Sequence, residues 1–240
     1  VLGVHGMMAY SSAVKGETLE DTMKTIEAMG MDLVVARHPD DDSGLKAARA
    51  IEVPVISGGA GKLEHPTQAL LDVRTILKET GKDPKEIKVA FVGDLKYGRT
   101  VHSLSKLMAI MGSKQMIMVA TDEVKMPRGL VEWLMGKGVE VYETGNLREV
   151  VGEADVIYDT RVQKEWFGDE SEYERVRQAM QITPETMKLV RPDAVLMHPL
   201  PRVDEITTEV DKDPRAAYFR QVAQGVWVRG ALMTLILSNK

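Results

Sequence analysis

The sequence contains no cysteine, which excludes disulfide staples, thiolate metal sites and thiol nucleophiles, and points to a cytoplasmic setting. It has no apolar run near the roughly 18–20 residues that a membrane span requires, and no basic-then-apolar leader, so a soluble protein with no membrane partner is expected. Positive charge is not in excess. The 31 Lys and Arg stand against 36 Asp and Glu, for a formal net charge of −5, which gives no general attraction to nucleic acid. Any anion must therefore be held by a local group of cations. The histidines, His5, His38, His65, His102 and His198, are scattered singly rather than clustered with carboxylates at ligand spacing, so neither metal nor cofactor is expected. The chain opens at Val1 rather than methionine, and Val1 to Val4 have the character of sheet interior; a fragment or processed product is expected.

Two glycine-rich segments look like nucleotide loops and are not. Gly58-Gly59-Ala60-Gly61-Lys62 lacks the Walker spacing and has Leu63 where Ser or Thr would hold magnesium, while Gly93 begins no G-x-G-x-x-G pattern.

What the sequence does have is enough apolar residues for a core, 44% of 240 residues. Short apolar runs recur at 32–36, 53–57, 87–92, 115–120, 139–142, 154–159 and 194–197, and predict buried strands. Between most of them lie stretches with apolar spacing of three and four, at 18–29, 66–80, 100–111 and 127–136, which predict helices. This alternation predicts an α/β fold with mostly parallel sheets. Pro66, Pro127, Pro184 and Pro214 stand where first helical turns would begin, and Gly30, Gly81 and Gly112 where helices would stop. A final helix is expected from about 215 to 238. The most polar break, Gly81 to Glu86, is the best linker.

Open parallel sheets bind ligands at the carboxyl ends of their strands. Five predicted strand ends carry a guanidinium or an imidazole: Arg37-His38, His65, Arg99 with His102, Arg161, and His198 with Arg202. One arginine after a strand is usually a solvated or salt-bridged group, but five such ends together predict a site for a small polyanion or a pair of anions. Arginine's planar fork binds phosphate and carboxylate bidentately.

The segments Lys15-Gly16-Glu17-Thr18-Leu19, Arg37-His38-Pro39, His65-Pro66-Thr67-Gln68, Gly93 through Ser103, Thr160 through Glu165 and His198 through Ile206 together resemble the aspartate transcarbamoylases in order and spacing. The resemblance runs over nearly the whole chain. It implies two parallel-sheet α/β domains: a carbamoyl-phosphate-binding domain over 1–82, partial at its start and completed by the C-terminal helix at about 223–240, and an aspartate-binding domain over 83–222. It implies transfer of a carbamoyl group from carbamoyl phosphate to L-aspartate, an early step of de novo pyrimidine biosynthesis. Carried over residue by residue, Arg37, His65 and Gln68 become contacts to carbamoyl phosphate, with Leu200 and Pro201 beside its carbamoyl end. Arg99 and Arg161 become clamps for the aspartate carboxylates, with Gln163 as a second contact and Lys15 as a further one. Ser11 and Lys15 match a loop that enters the neighbouring subunit's site, which implies a homotrimer. Arg37, His65 and Lys15 are the expected catalytic residues. His38 and His102 are expected to be structural, and Leu200-Pro201 a cis peptide. A regulatory subunit or a larger multifunctional pyrimidine-pathway polypeptide is a further partner that the resemblance allows.

The sequence departs from the family pattern in three places. It has no Ser-Thr-Arg-Thr-Arg segment, which in the family binds the phosphate at a helix N-terminus; the chain alone is therefore expected to be weak or inactive. Ser57 to Glu64 replaces an Asn-Ala-Gly-Asp-Gly stretch, so the carbamoyl pocket is expected to differ in detail. Asp40 to Leu45 is a more acidic stretch, expected to be a surface change with Ser43 capping a helix. Two rival readings stand beside the first. An ornithine-type transferase would carry a Ser-Met-Gly loop and a His-Cys-Leu-Pro motif, and cysteine is absent. A non-catalytic paralogue serving as a binding or assembly module would have no need of Lys15, Arg99 and Arg161.

Overall fold

The protein is described by a computed structural model covering residues 16–164 and 167–238. Two parallel sheets are present among these residues. The smaller pairs β1 (Val34–His38) with β2 (Val55–Ala60), and the larger has the order β5-β4-β3-β6-β7, built from β3 (Lys88–Gly93), β4 (Gln115–Val119), β5 (Glu140–Thr144), β6 (Val156–Thr160) and β7 (Val195–Met197). Every pairing between named strands is parallel, as the alternation of strand and helix patterns predicts.

The five-stranded sheet is buried on both faces at its central strands β3 and β6, while the edge strand β5 is largely exposed. Val89 and Phe91 of β3 point to one side with Tyr158, Leu104 and Met108, while Ala90 and Val92 point to the other with Ile157, Leu196 and Tyr218. That is the period-two pleat with apolar residues on both faces from Val89 to Val92, the reason such a strand shows as a continuous hydrophobic run. A smaller core of Met23, Val34, Ala47 and Ile51 joins α1 (Leu19–Ala28) and α2 (Ser43–Ala50) to the two-stranded sheet.

Helix α3 (Pro66–Thr80) has its boundaries where proline and glycine put them: Pro66 is in the first turn, and Gly81 caps the end at φ 66° with its N–H on the Leu77 carbonyl. Beyond it come α4 (Arg99–Ile110), α5 (Arg128–Gly136), α6 (Leu147–Val150), α7 (Glu170–Met180), α8 (Pro184–Met187) and α9 (Tyr218–Ser238).

Two expectations are corrected. Pro214 does not open the last helix, which starts at Tyr218. Residues 215–217 instead bond to β7, where Leu196 N–H donates to Arg215 O and Ala217 N–H to Leu196 O, and Arg215 is held by Asp213 and by the Val190 carbonyl. Ser43 does not cap α2: Asp42 holds the cap position, and the Ser43 hydroxyl donates to the Asp40 carbonyl. Helix α9 returns to lie along α3, joined to it by Arg74 with Gln224 and by the Arg220 fork on Glu79. The carboxyl end of β2, the start of α3 and the carboxyl ends of β3, β6 and β7 are thereby brought near one another.

Candidate active site

His65 sits at the N-terminal end of α3 with non-helical backbone angles. Its backbone N–H donates to Ser103 Oγ at 2.8 Å, and Ser103 in turn donates to Glu64, which is paired with Lys106. Two residues of α4 thus fix the start of α3. The imidazole is half-buried, and Thr67 Oγ1 lies 3.4 Å from its Nδ1. Burial, reinforced by the guanidinium groups of Arg99, Arg37 and Arg229, pushes its pKa down to about 4. At neutral pH His65 is therefore an uncharged imidazole, able to donate one N–H.

The three arginines around it come from distant parts of the chain. Arg37 is exposed at the end of β1. Arg99 opens α4 and donates from Nη1 to the Gly61 carbonyl at 2.8 Å. Arg229 lies on α9. Burial and the neighbouring Arg37 lower the Arg99 pKa, yet a guanidinium stays charged in any such setting. Among the described residues none of the three is in a salt bridge with a carboxylate. A neutral imidazole amid three such cations is a pocket of positive potential suited to anions.

The block from Gly93 to Arg99 is held by Asp94. Its Oδ1 accepts from the Lys96 and Tyr97 backbone N–H groups, and its Oδ2 from Gln163 Nε2 at 3.3 Å. Burial raises the Asp94 carboxyl pKa, with these hydrogen bonds opposing it. A Cβ on Gly93 would stand 2.1 Å from the Thr160 carbonyl oxygen, so the ends of β3 and β6 meet backbone to backbone. Arg161 is half-buried just after β6, and Gln163 bonds to the Asp94 turn.

Gln68 is buried in the first turn of α3 and donates from Nε2 to Asp72. The loop after β7 has the expected cis Leu200-Pro201 bond, with Leu200 at φ 55°. It is anchored by His198, whose Nδ1 accepts from Leu200 N–H and whose backbone N–H donates to Gln221 Oε1.

Several predicted residues have other duties. Arg202 pairs with Asp211 and bonds to the Tyr218 hydroxyl, so this strand-end arginine is structural. His102 is buried with Nε2 on the Leu95 carbonyl, and His38 accepts from Asp40 N–H. Ser11 and Lys15 lie outside the described residues.

Asp40, Asp41, Asp42 and Leu45 are exposed, as expected of a surface change, yet the stretch also packs on the glycine loop. Asp41 Oδ1 accepts from Lys62 N–H at 2.7 Å, and a Cβ on Gly61 would fall 1.9 Å from that oxygen. The acidic stretch and the altered glycine loop are therefore one packed unit, and Arg99 hangs from it through Gly61. Arg229, Asp41 and Asp72 are functional candidates that sequence reading missed. Arg229 follows no strand, and Asp41 lay in a segment marked only by its charge. Asp72 had one available signal, a carboxylate four residues after Gln68 on an otherwise apolar helix face.

Comparison with known proteins agrees along the whole chain. Residues 1–78 match the carbamoyl-P binding domain of aspartate/ornithine carbamoyltransferase, and residues 85–236 its Asp/Orn binding domain. The aspartate carbamoyltransferase catalytic subunit of Methanocella arvoryzae is 47% identical over 229 residues, 95% of this chain and 74% of that protein. The chloroplastic enzyme of Arabidopsis thaliana is 46% identical over 238 residues, 99% of this chain and 60% of that protein. The chain thus spans less than two thirds of the plant relative. The crystal structure of Trypanosoma cruzi aspartate transcarbamoylase in complex with carbamoyl phosphate superposes with a TM-score of 0.87 at 42% identity, over 96% of this chain and 73% of that one. Fold and sequence agree: the chain belongs to the aspartate/ornithine carbamoyltransferase family, among the aspartate carbamoyltransferase catalytic chains.

Proposed function

We propose that this chain transfers the carbamoyl group of carbamoyl phosphate to the amine of L-aspartate, giving N-carbamoyl-L-aspartate and phosphate. The observation that carries the reading is the neutral His65 surrounded by Arg37, Arg99 and Arg229, where two anions can be held side by side. Attack of the amine on the carbamoyl carbon builds negative charge on the carbonyl oxygen, which Arg37 and His65 meet as donors. A neutral His65 can do this without gaining a proton first. Gln68 and the Leu200-Pro201 backbone hold the carbamoyl end. Arg99 and Arg161 clamp the aspartate carboxylates, with Gln163 as a further contact fixed by Asp94. Phosphate is already a good leaving group, so positioning and charge neutralisation carry most of the catalysis. The departing phosphate is the proton acceptor for the amine.

In this reading residues 1–82 with the helix at 223–240 form the carbamoyl-phosphate unit and 83–222 the aspartate unit. The hydrogen bond from Arg74 on α3 to Gln224 on α9 supports assigning that helix to the first unit. Lys15, with Ser11, serves the site of a neighbouring subunit in a homotrimer.

The test is carbamoyl transfer to aspartate and to ornithine at equal carbamoyl phosphate, with Arg161→Ala alongside. It is run on this chain and on a version extended upstream by a Ser-Thr-Arg-Thr-Arg-bearing segment. Transfer to aspartate is expected, with kcat/KM falling about 10- to 150-fold in Arg161→Ala, the worth of one charge-assisted hydrogen-bonded contact of about 1.5–3 kcal/mol. Transfer to ornithine and not aspartate would overturn the substrate assignment.

A further inference from the structure

Asp72 has no role in the chemistry above, yet it is fully buried one turn beyond Gln68 on α3. Its Oδ1 accepts from Gln68 Nε2 at 2.9 Å and from Gln221 Nε2 at 2.6 Å, and its Oδ2 accepts from the Tyr158 hydroxyl at 2.7 Å. Gln221, on α9, uses its Oε1 to accept the backbone N–H of His198 at 2.9 Å. One carboxylate therefore joins the start of α3 to the segment that leads into Leu200-Pro201. These are the two sides of the carbamoyl pocket in the reading above.

The chemistry of the hub fixes which way each amide faces. A carboxylate oxygen that already receives two N–H donors can only accept, so both glutamines must turn their NH2 groups to Asp72. For Gln221 this leaves Oε1 for His198 N–H. For Gln68 it leaves Oε1, an acceptor, as the amide group not committed to the hub. Burial pushes the Asp72 carboxyl pKa up to about 7, while hydrogen bonds from Tyr158, Gln221 and Gln68 and the charge of Arg229 pull against it. Protonation leaves this arrangement standing, because a proton on Oδ2 would face Tyr158 and Oδ1 would remain the acceptor for both amides.

We infer that Asp72 is a positioning and specificity-determining residue: it locks the Gln68 amide so that the pocket offers an acceptor and selects an acyl phosphate bearing N–H donors on its acyl carbon. The inference rests on the carbamoyl-transfer reading and deepens it. Carbamoyl phosphate carries an NH2 that Gln68 Oε1 can receive, whereas acetyl phosphate, of nearly the same shape, carries a methyl group that would leave that oxygen buried without a donor.

The experiment compares wild type, Asp72→Asn and Asp72→Leu in the chain extended upstream by the Ser-Thr-Arg-Thr-Arg-bearing segment. It reads kcat and KM for carbamoyl phosphate and the inhibition constant of acetyl phosphate. In Asp72→Leu the preference for carbamoyl over acetyl phosphate is expected to fall at least about tenfold, with acetyl phosphate affinity within about threefold of wild type. Asp72→Asn keeps an acceptor at Oδ1 and is expected to restore most of the preference. Equal weakening toward both phosphates, or an unchanged preference in Asp72→Leu, would show a merely structural role and overturn the inference. The geometry is read independently of activity by side-chain amide NMR of the free wild-type protein. The Gln68 and Gln221 amide nitrogens, assigned by Gln→Glu substitution, are expected to couple through their hydrogen bonds to the Asp72 carboxyl carbon. Absence of that coupling overturns the inference even if Asp72→Leu does not fold. A wild type that shows the coupling but transfers no carbamoyl group would instead contradict the activity reading.

Discussion

At the scale of single residues, the state of His65 decides how the site works. Its pKa of about 4 lies below the ordinary histidine value of 6.5 because of burial and then Arg99, Arg37 and Arg229. Two consequences follow. The kcat/KM profile should show no break from His65 near pH 6.5, whereas an imidazole of ordinary pKa would produce one. The folded state also binds fewer protons on this group than the unfolded chain does between pH 4 and 6.5. Its stability contribution is thus complete above about 6.5 and is lost as pH falls toward about 4. Urea unfolding of wild type and His65→Gln measures this: the wild-type midpoint should fall relative to the variant on going from pH 7 to pH 4.5. A constant difference would mean that the imidazole titrates normally. His65→Ala should lower kcat by about 10²–10³, the effect of removing one donor to a developing oxyanion.

At the scale of elements, the loop from Ser57 to Glu64 is positioned by a segment some 20 residues upstream. Asp41 bonds to Lys62 N–H, and the Gly61 carbonyl receives Arg99. Asp41→Ala removes a cap-like hydrogen bond worth about 0.5–2 kcal/mol. It should raise KM for aspartate several-fold while leaving KM for carbamoyl phosphate nearly unchanged, which steady-state kinetics would show; equal effects on both would contradict the coupling to Arg99. The elements also differ in how far the sequence revealed them. Helix α3 is legible because Pro66 and Gly81 are local signals that nothing in the fold overrides. The start of α9 is not, because residues 215–217 gain hydrogen bonds from β7 that a local reading cannot see. The site divides in the same way. Arg37, His65, Arg99 and Arg161 stand at strand ends, where parallel sheets put ligands. Arg229, Asp41 and Asp72 act through partners far away in sequence or, for Asp72, through hydrogen bonds that lie wholly in the interior.

At the scale of the whole molecule, the junction between the two sheets is tied by one buried carboxylate. Asp155, 5% exposed, accepts from Lys82 Nζ at 2.6 Å, Lys88 N–H at 2.8 Å and Arg191 Nη1 at 3.2 Å. Lys82 lies in the segment after α3, Lys88 begins β3 and Arg191 precedes β7. Asp155→Ala should cost about 1–3 kcal/mol in urea unfolding, since hydrogen bonds to a charged group are the stronger kind. An unchanged midpoint would show that the tie is dispensable. This junction and the return of α9 onto α3 bring Arg37, Arg99 and Arg229 around His65, a group of cations suited to transfer between two bound anions.

The most direct test follows the transferred carbon. Wild type and Arg37→Ala, each extended upstream by the Ser-Thr-Arg-Thr-Arg-bearing segment, are supplied with carbamoyl phosphate labelled with ¹³C at the carbamoyl carbon and with unlabelled L-aspartate, and product is observed by NMR. Labelled N-carbamoyl-aspartate is expected to appear with an equal amount of phosphate, at a rate about 10² or more above that of Arg37→Ala. Labelled product that forms no faster in wild type than in Arg37→Ala would contradict that expectation.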